Sequence, residues 1–203
     1  KYRTQSETGN MSLIEITPES HGVELSLEYA TANNFTGKPI YARAGCYLHA
    51  EAEGLLCAAI ELAAAWSFKI KIFDAFRPSE AQWVLWNHTP DPDFLADPRR
   101  GSPHSRGAAV DLTLLYQTGP KAGQELEMGT PFDAFTPRSH HGNMEVSIEA
   151  QRNRALLMGL MTTAGWDFYR NEWWHYQLFD ARRLPALSDS VLDQGMMSGK
   201  NGK

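Results

Sequence analysis

The sequence predicts an α+β fold, a single domain with a central antiparallel sheet flanked by helices. Helical and strand-like periodicities are interspersed along the chain, without the regular strand-helix-strand repeats of a doubly wound sheet and without internal repeats. With 203 residues and 42% apolar content, the chain can bury roughly 70% of the surface its unfolded form exposes, enough for one self-sufficient core. One domain over 1–203 follows. Its polar ends at 1–12 and 188–203, rich in Ser, Gly, Asn and Lys, are expected to be flexible and to carry no chemistry.

Each element has its own reason. From Ala50 to Trp66 the apolar residues Leu55, Ala59, Leu62, Ala63 and Trp66 recur at steps of three and four, the period of a helix burying one face. Phe68-Lys-Ile-Lys-Ile-Phe73 begins with apolar and basic residues in alternation, which predicts a strand with one buried face. It runs into Asp74-Ala-Phe-Arg-Pro78. Ser79, with Gln82 three residues later, has a capping-box pattern and opens a helix to about Asn87. Prolines at 90, 92, 98 and 103 make 88–106 a loop, with His104 near its end. In the strand from Ala109 to Leu115, Val110, Leu112 and Leu114 share one face, so Asp111 and Thr113 point the other way. Ser147 caps a helix to about Ala164, stopped by Gly165, and a last strand covers roughly Trp174 to Phe179.

Composition narrows the partners. Nineteen basic against 24 acidic residues give a net charge of −5 with no basic run, which argues against a nucleic-acid backbone or an anionic membrane surface as partner. No stretch approaches the roughly 20 apolar residues of a membrane span. A small-molecule or peptide substrate fits better. Cys46 and Cys57 are the only cysteines, too few for a disulfide framework or a four-cysteine zinc site. A bridge between them requires Cα atoms within about 7 Å and an oxidising compartment. The chain starts at Lys1 and not at a methionine, which raises the expectation of a removed leader and a periplasmic location, with the cytoplasm as the alternative.

The chemistry concentrates in two patches, Ser102-Pro-His104-Ser-Arg-Gly-Ala-Ala-Val-Asp111 and Glu172-Trp-Trp-His175. His104, Asp111 and His175 supply two nitrogens and one oxygen, the three protein ligands of a catalytic zinc that keeps a fourth position for water or substrate. Glu172 is then free to act as the base. Set among Trp173, Trp174 and Tyr176, its carboxyl is pushed upward by burial and pulled down by a nearby cation, which makes it a tuned base. Strict alternation would put Glu172 and His175 on opposite faces, so Glu172 is expected just before the regular strand. Among the other histidines, His21, His49 and His88 read as surface or structural residues. His140-His141 reads as a loop end or a second metal site.

Together these residues resemble the zinc D-alanyl-D-alanine dipeptidases of the vancomycin-resistance type, relatives of the D-alanyl-D-alanine carboxypeptidases and of the hedgehog amino-terminal domain. The resemblance also runs through Tyr29-Ala-Thr-Ala-Asn-Asn-Phe-Thr-Gly-Lys-Pro39, Asp74 to Pro78, Met128-Gly-Thr-Pro-Phe-Asp133 and Arg138-Ser-His-His141. It implies the hedgehog/D,D-peptidase-like fold and hydrolysis of D-Ala-D-Ala to two D-alanines with one Zn²⁺ per chain. His104, Asp111 and His175 would be the ligands, Glu172 the general base and Arg77 the transition-state arginine. Tyr29 and Asp133 would take the substrate ammonium, and Ser102 would be a contact beside the first ligand. The partner implied is a small dipeptide, with no nucleic acid and no membrane, and the oligomeric state is left open. Such chemistry would serve antibiotic resistance, D-alanine recycling or peptidoglycan remodelling of the cell wall alike. Its rivals are a zinc D,D-carboxypeptidase or peptidoglycan endopeptidase on longer wall peptides, and a non-catalytic zinc-binding module.

Overall fold

The computed structural model describes residues 13–197. Four short elements lead in: strand β1 (Leu13–Glu15), helix α1 (Pro18–His21), strand β2 (Glu24–Leu25) and strand β3 (Tyr47–His49). They were not legible as periodic runs, since elements of two to four residues are shorter than one repeat of a face. Helix α2 (Ala50–Ala65), strand β4 (Phe68–Asp74), helix α3 (Ser79–His88), strand β5 (Ala109–Tyr116) and helix α4 (Ile148–Thr163) follow where the periodicities put them. Strands β6 (Asp167–Phe168) and β7 (His175–Gln177) are the last strands, followed by 3-10 turns at Ala181–Arg183 and Asp189–Val191, and β7 is shorter than the strand expected from 174 to 179.

The main sheet has the order β2-β4-β5-β7-β6. Its pairings are antiparallel except at the edge, where β2 runs parallel to β4. The expected central antiparallel sheet is present, with one parallel pairing added at its edge. Strands β1 and β3 form a separate antiparallel pair. Val110, Leu112 and Leu114 of β5, Ile70 and Ile72 of β4, Leu56 of α2 and Leu157 and Leu160 of α4 belong to one buried core. A second cluster gathers Tyr29, Tyr41, Phe76, Leu95 and Met196 around Ala81 and Leu85 of α3. The two clusters differ in kind. The first is mainly aliphatic, with Phe73, Trp166, Trp173, Trp174 and Tyr176 among its members, and holds the sheet to its helices, whereas the second is richer in aromatic rings and borders the site.

One local result differs from the sequence expectation. Helix α3 has Pro78 at its N-cap with no side-chain cap. Ser79 Oγ donates to Leu187 O and Gln82 bonds elsewhere, so the capping box does not form. The C-terminal segment is packed as far as it is described: Met196 is fully buried, and Asp189 Oδ1 accepts from its backbone N–H at 2.7 Å. The expectation for 1–12 lies outside the described residues. Cys46 and Cys57 are free thiols, so no bridge joins them.

Candidate functional site

The ladder of the main sheet brings the polar residues together. Asp74 of β4 pairs with Asp111 of β5, and Asp111 pairs with His175 of β7. Cross-strand partners point to the same face, so the three form one row across three strands. A register shift between Ile72 and Asp74 makes the row. Without that extra residue Phe73 would stand opposite Asp111, and the bulge re-aims the strand end so that a carboxylate stands there instead.

His104 enters from a 3-10 turn, His104–Arg106, immediately before β5. Gly107 ends this turn at φ +63°, where a Cβ would lie 2.6 Å from Leu13 Cδ2 and 2.9 Å from the backbone nitrogen of His49. Gly107 O in turn accepts from His49 N at 2.8 Å. Glycine is thus required both for the left-handed backbone and for the close approach of the β3 end.

His104 Nε2, Asp111 Oδ1 and His175 Nδ1 form a triangle with sides of 3.1, 3.2 and 3.2 Å. His104 Nδ1 lies 2.7 Å from the carbonyl of Ala75, and a carbonyl can only accept, so Nδ1 carries the proton. His175 Nε2 likewise donates to Gln177 Oε1 at 2.9 Å. Two imidazole lone pairs and a carboxylate therefore converge with their protons directed outward, an arrangement that repels itself unless a cation lies between them. Tetrahedral coordination at bond lengths near 2.0–2.1 Å separates ligand atoms by about 3.3 Å, close to the observed sides. The donor set fits a divalent metal. All three side chains are buried.

Arg77 locks the remaining carboxylate oxygens. Its Nε donates to Asp74 Oδ2 at 2.8 Å, Nη1 to Gln82 Oε1 at 3.0 Å and Nη2 to Asp111 Oδ2 at 3.3 Å. Tyr41 OH donates to Asp74 Oδ1, and the ring of Tyr29 lies 4.9 Å from the guanidinium carbon. Asp74, Gln82, Tyr41 and Gln177 were not singled out from the sequence. Gln177 alone had a usable signal, because it stands two residues past a strand histidine and hence on its face.

Glu172 lies in the turn before β7, where it was expected, with Oε2 3.8 Å from His175 Nδ1. Burial first, then the charges of Asp111 and Asp133, push its carboxyl well above the usual range, against the pull of Arg77. Asp133 sits at φ +63°, a costly conformation for a residue with a Cβ. Its Oδ1 accepts from Tyr29 OH at 3.0 Å, while Oδ2 is buried without a partner among the described residues. Burial pushes this carboxyl up to about 8. Ser102 Oγ accepts from His104 N at 3.1 Å and so steadies the turn.

All eight residues singled out from the sequence border one cleft of about 810 Å³, walled on one side by the loop 90–103. That loop is tied across the cleft, for Tyr169 OH and Asn171 Nδ2 both donate to Asp93 O, at 2.8 and 3.1 Å. Of the other histidines, His49 accepts from Glu51 N as the cap of α2 and His88 bonds Thr89. His140 packs beside Phe94 and His141 beside Phe168. Among the described residues, neither joins a third ligand in a metal-holding group.

Comparison with known proteins follows the same lines. The profile of the D-ala-D-ala dipeptidase family matches residues 7–194. The chain is 41% identical over 177 residues to a D-alanyl-D-alanine dipeptidase of Escherichia coli, covering 87% of this chain and 90% of that protein. It is 36% identical over 183 residues to one of Enterococcus faecium, with 79% and 88% covered, and 35% identical over 182 residues to one of Streptomyces coelicolor, with 77% and 86% covered. With the buried His-Asp-His triangle and this extent of similarity, the chain belongs to the D-ala-D-ala dipeptidase family, a family of metallopeptidases.

Proposed function

We propose that the chain is a zinc-dependent dipeptidase that hydrolyses D-Ala-D-Ala to two D-alanines. The observation that carries this reading is the pairing of the outward-protonated His104–Asp111–His175 triangle with a buried carboxylate oxygen, Asp133 Oδ2, that has no partner among the described residues and lies in the same cleft. The triangle supports metal-assisted hydrolysis, and the orphan oxygen supports recognition of a free amine. The names of the relatives support the substrate.

His104, Asp111 and His175 would hold the ion. When bound, zinc supplies Lewis acidity, bringing the pKa of water from about 15.7 toward about 7. Glu172, its carboxyl raised by burial, takes the proton of the attacking water and passes it to the leaving amine, so no covalent enzyme intermediate is needed. Arg77, fixed by Asp74 and Gln82, offers its remaining N–H groups to the oxyanion that develops on the scissile carbonyl. Asp133 accepts the substrate ammonium through Oδ2, and Tyr29 holds Asp133 in place from the other oxygen. Ser102, beside the first ligand, is a further contact for the dipeptide.

Kinetics with three substrates, alongside metal analysis of the purified protein, test the proposal. D-Ala-D-Ala should be cleaved with one zinc per chain, N-acetyl-D-Ala-D-Ala poorly, and a pentapeptide wall precursor ending in D-Ala-D-Ala poorly. Equal cleavage of the free and acetylated dipeptides would refute ammonium recognition and favour the carboxypeptidase or endopeptidase reading. The absence of any hydrolysis would favour the binding module. Among the described residues no helix is long and apolar enough to cross a membrane. The compartment we propose, the periplasm, draws no support from a cysteine bridge, and fractionation of cells with an activity readout distinguishes it from the cytoplasm.

A further inference from the structure

A second group of metal-binding side chains lies away from the cleft. His21, at the end of α1, and Glu53 and Cys57, one turn apart on the same face of α2, place one ligand atom each within 4.8 Å of one another. His21 Nε2 is 3.1 Å from Glu53 Oε1, and Cys57 Sγ is 3.3 Å from the same oxygen. The imidazole is mostly covered, its side chain 9% exposed, and Ser20 Oγ at 2.7 Å from Nδ1 holds the ring with Nε2 toward the carboxylate. None of the three borders the cleft.

We propose that His21, Glu53 and Cys57 form a second metal site, selective for a thiophilic divalent ion such as Zn²⁺ or Cd²⁺, that staples α1 to α2. Imidazole nitrogen, carboxylate oxygen and thiolate sulfur make a mixed donor set of intermediate softness, suited to these ions and poorly suited to Mg²⁺ or Ca²⁺. The fourth position is left to water. On binding, the Cys57 S–H bond breaks, the sulfur coordinates the ion and the proton passes to solvent, while the His21 proton that faces Glu53 from Nε2 is exchanged to Nδ1, which then donates to Ser20 Oγ and leaves the Nε2 lone pair for the ion. Burial, then the Glu53 carboxylate, push the thiol up to about 11, so without metal it keeps its proton and serves only as a donor to Glu53. The His21–Glu53 pair joins side chains 32 residues apart in the chain, and an ion bound there favours the folded state by mass action.

The chemistry of the two sites separates the test. The triangle at His104 contains no sulfur, so a thiolate-to-cadmium absorption band in the ultraviolet reports on cysteine alone. Protein carrying a single equivalent of zinc per chain, the amount that the tighter site in the cleft takes up, should develop this band to one equivalent per chain when titrated with Cd²⁺, with a rise in melting temperature. Cys57→Ser should remove both, and His21→Ala and Glu53→Gln should weaken the affinity at least about tenfold. Cys46→Ser should keep the band, since Cys46 is buried elsewhere in the core. Dipeptide hydrolysis by the Cys57→Ser protein should match that of the parent, which also demonstrates correct folding. No band with the parent protein, a band that survives Cys57→Ser, or a band lost with Cys46→Ser would overturn the proposal. An unchanged affinity in His21→Ala would likewise do so, leaving His21 and Glu53 as a plain hydrogen-bonded pair.

Discussion

Glu172 and His175 stand 3.8 Å apart and yet predict opposite outcomes when removed. Glu172→Ala should keep its metal and lose hydrolysis by about 10²–10⁴-fold, the usual contribution of a positioned base. His175→Ala should lose metal as well, because one corner of the triangle disappears. Metal content measured beside kcat checks both. Asp133 supplies a pH dependence. Its carboxyl is raised to about 8 in the folded protein, so below that pH it is protonated and must release its proton to accept an ammonium group. The KM for D-Ala-D-Ala should therefore fall as pH rises from about 6 to 8. Asp133→Asn should remove this slope and raise KM by about 10–100-fold, the loss of one charge-assisted hydrogen bond. A KM slope that persists in the asparagine variant would exclude Asp133 as its origin.

At the scale of elements, the site depends on how three strand ends and one turn meet. The 3-10 turn at His104 is fixed by Gly107 at φ +63° against Leu13 and His49. Gly107→Ala should destabilise the fold by roughly 1–3 kcal/mol through backbone strain, and should lower metal content as well, since the turn carries the proposed ligand His104. Thermal melting with metal analysis measures both effects. Helix α3 and the loop 90–103 meet at Gln82, whose Oε1 accepts from Arg77 and whose Nε2 donates to Ala96 O at 2.7 Å. The same side chain that the sequence offers as a helix cap thus orients a catalytic candidate and anchors a wall of the cleft. Local pattern favoured the cap, and tertiary contact with a buried guanidinium outcompeted it. Long helices and the central strands were legible because their faces repeat several times. The two-residue strands β2 and β6, and with them the parallel edge, were not.

Across the molecule, a mainly aliphatic core holds α2 and α4 to the sheet, while a cluster richer in aromatic rings packs around α3 beside the cleft. Three converging lone-pair acceptors cost stability wherever no cation separates them. Removal of metal with a chelator should therefore lower the melting temperature as well as abolish turnover. Added zinc should restore both, with a melting temperature that rises with zinc concentration. Calorimetry at several zinc concentrations measures the effect, and a chelator-treated protein that melts unchanged would count against a metal that contributes to the fold.

By itself the sequence determined the fold class, the long elements and the identity of the metal-ligand candidates, because each depends on residue type and short-range period. His104, Asp111, Glu172 and His175 could be read as ligands and base from chemistry alone. Arg77 and Asp133 came from family resemblance, since an arginine before a helix and a turn aspartate have no distinguishing spacing. The tertiary structure alone decided what surrounds them. The bulge at Phe73 brought Asp74 opposite Asp111, Ala75 and Gln177 turned the imidazole protons outward, and Tyr29 left one oxygen of Asp133 unpartnered. Those relations join residues up to 104 positions apart. A local pattern cannot encode such pairings, because strand register and burial exist only once the sheet has formed.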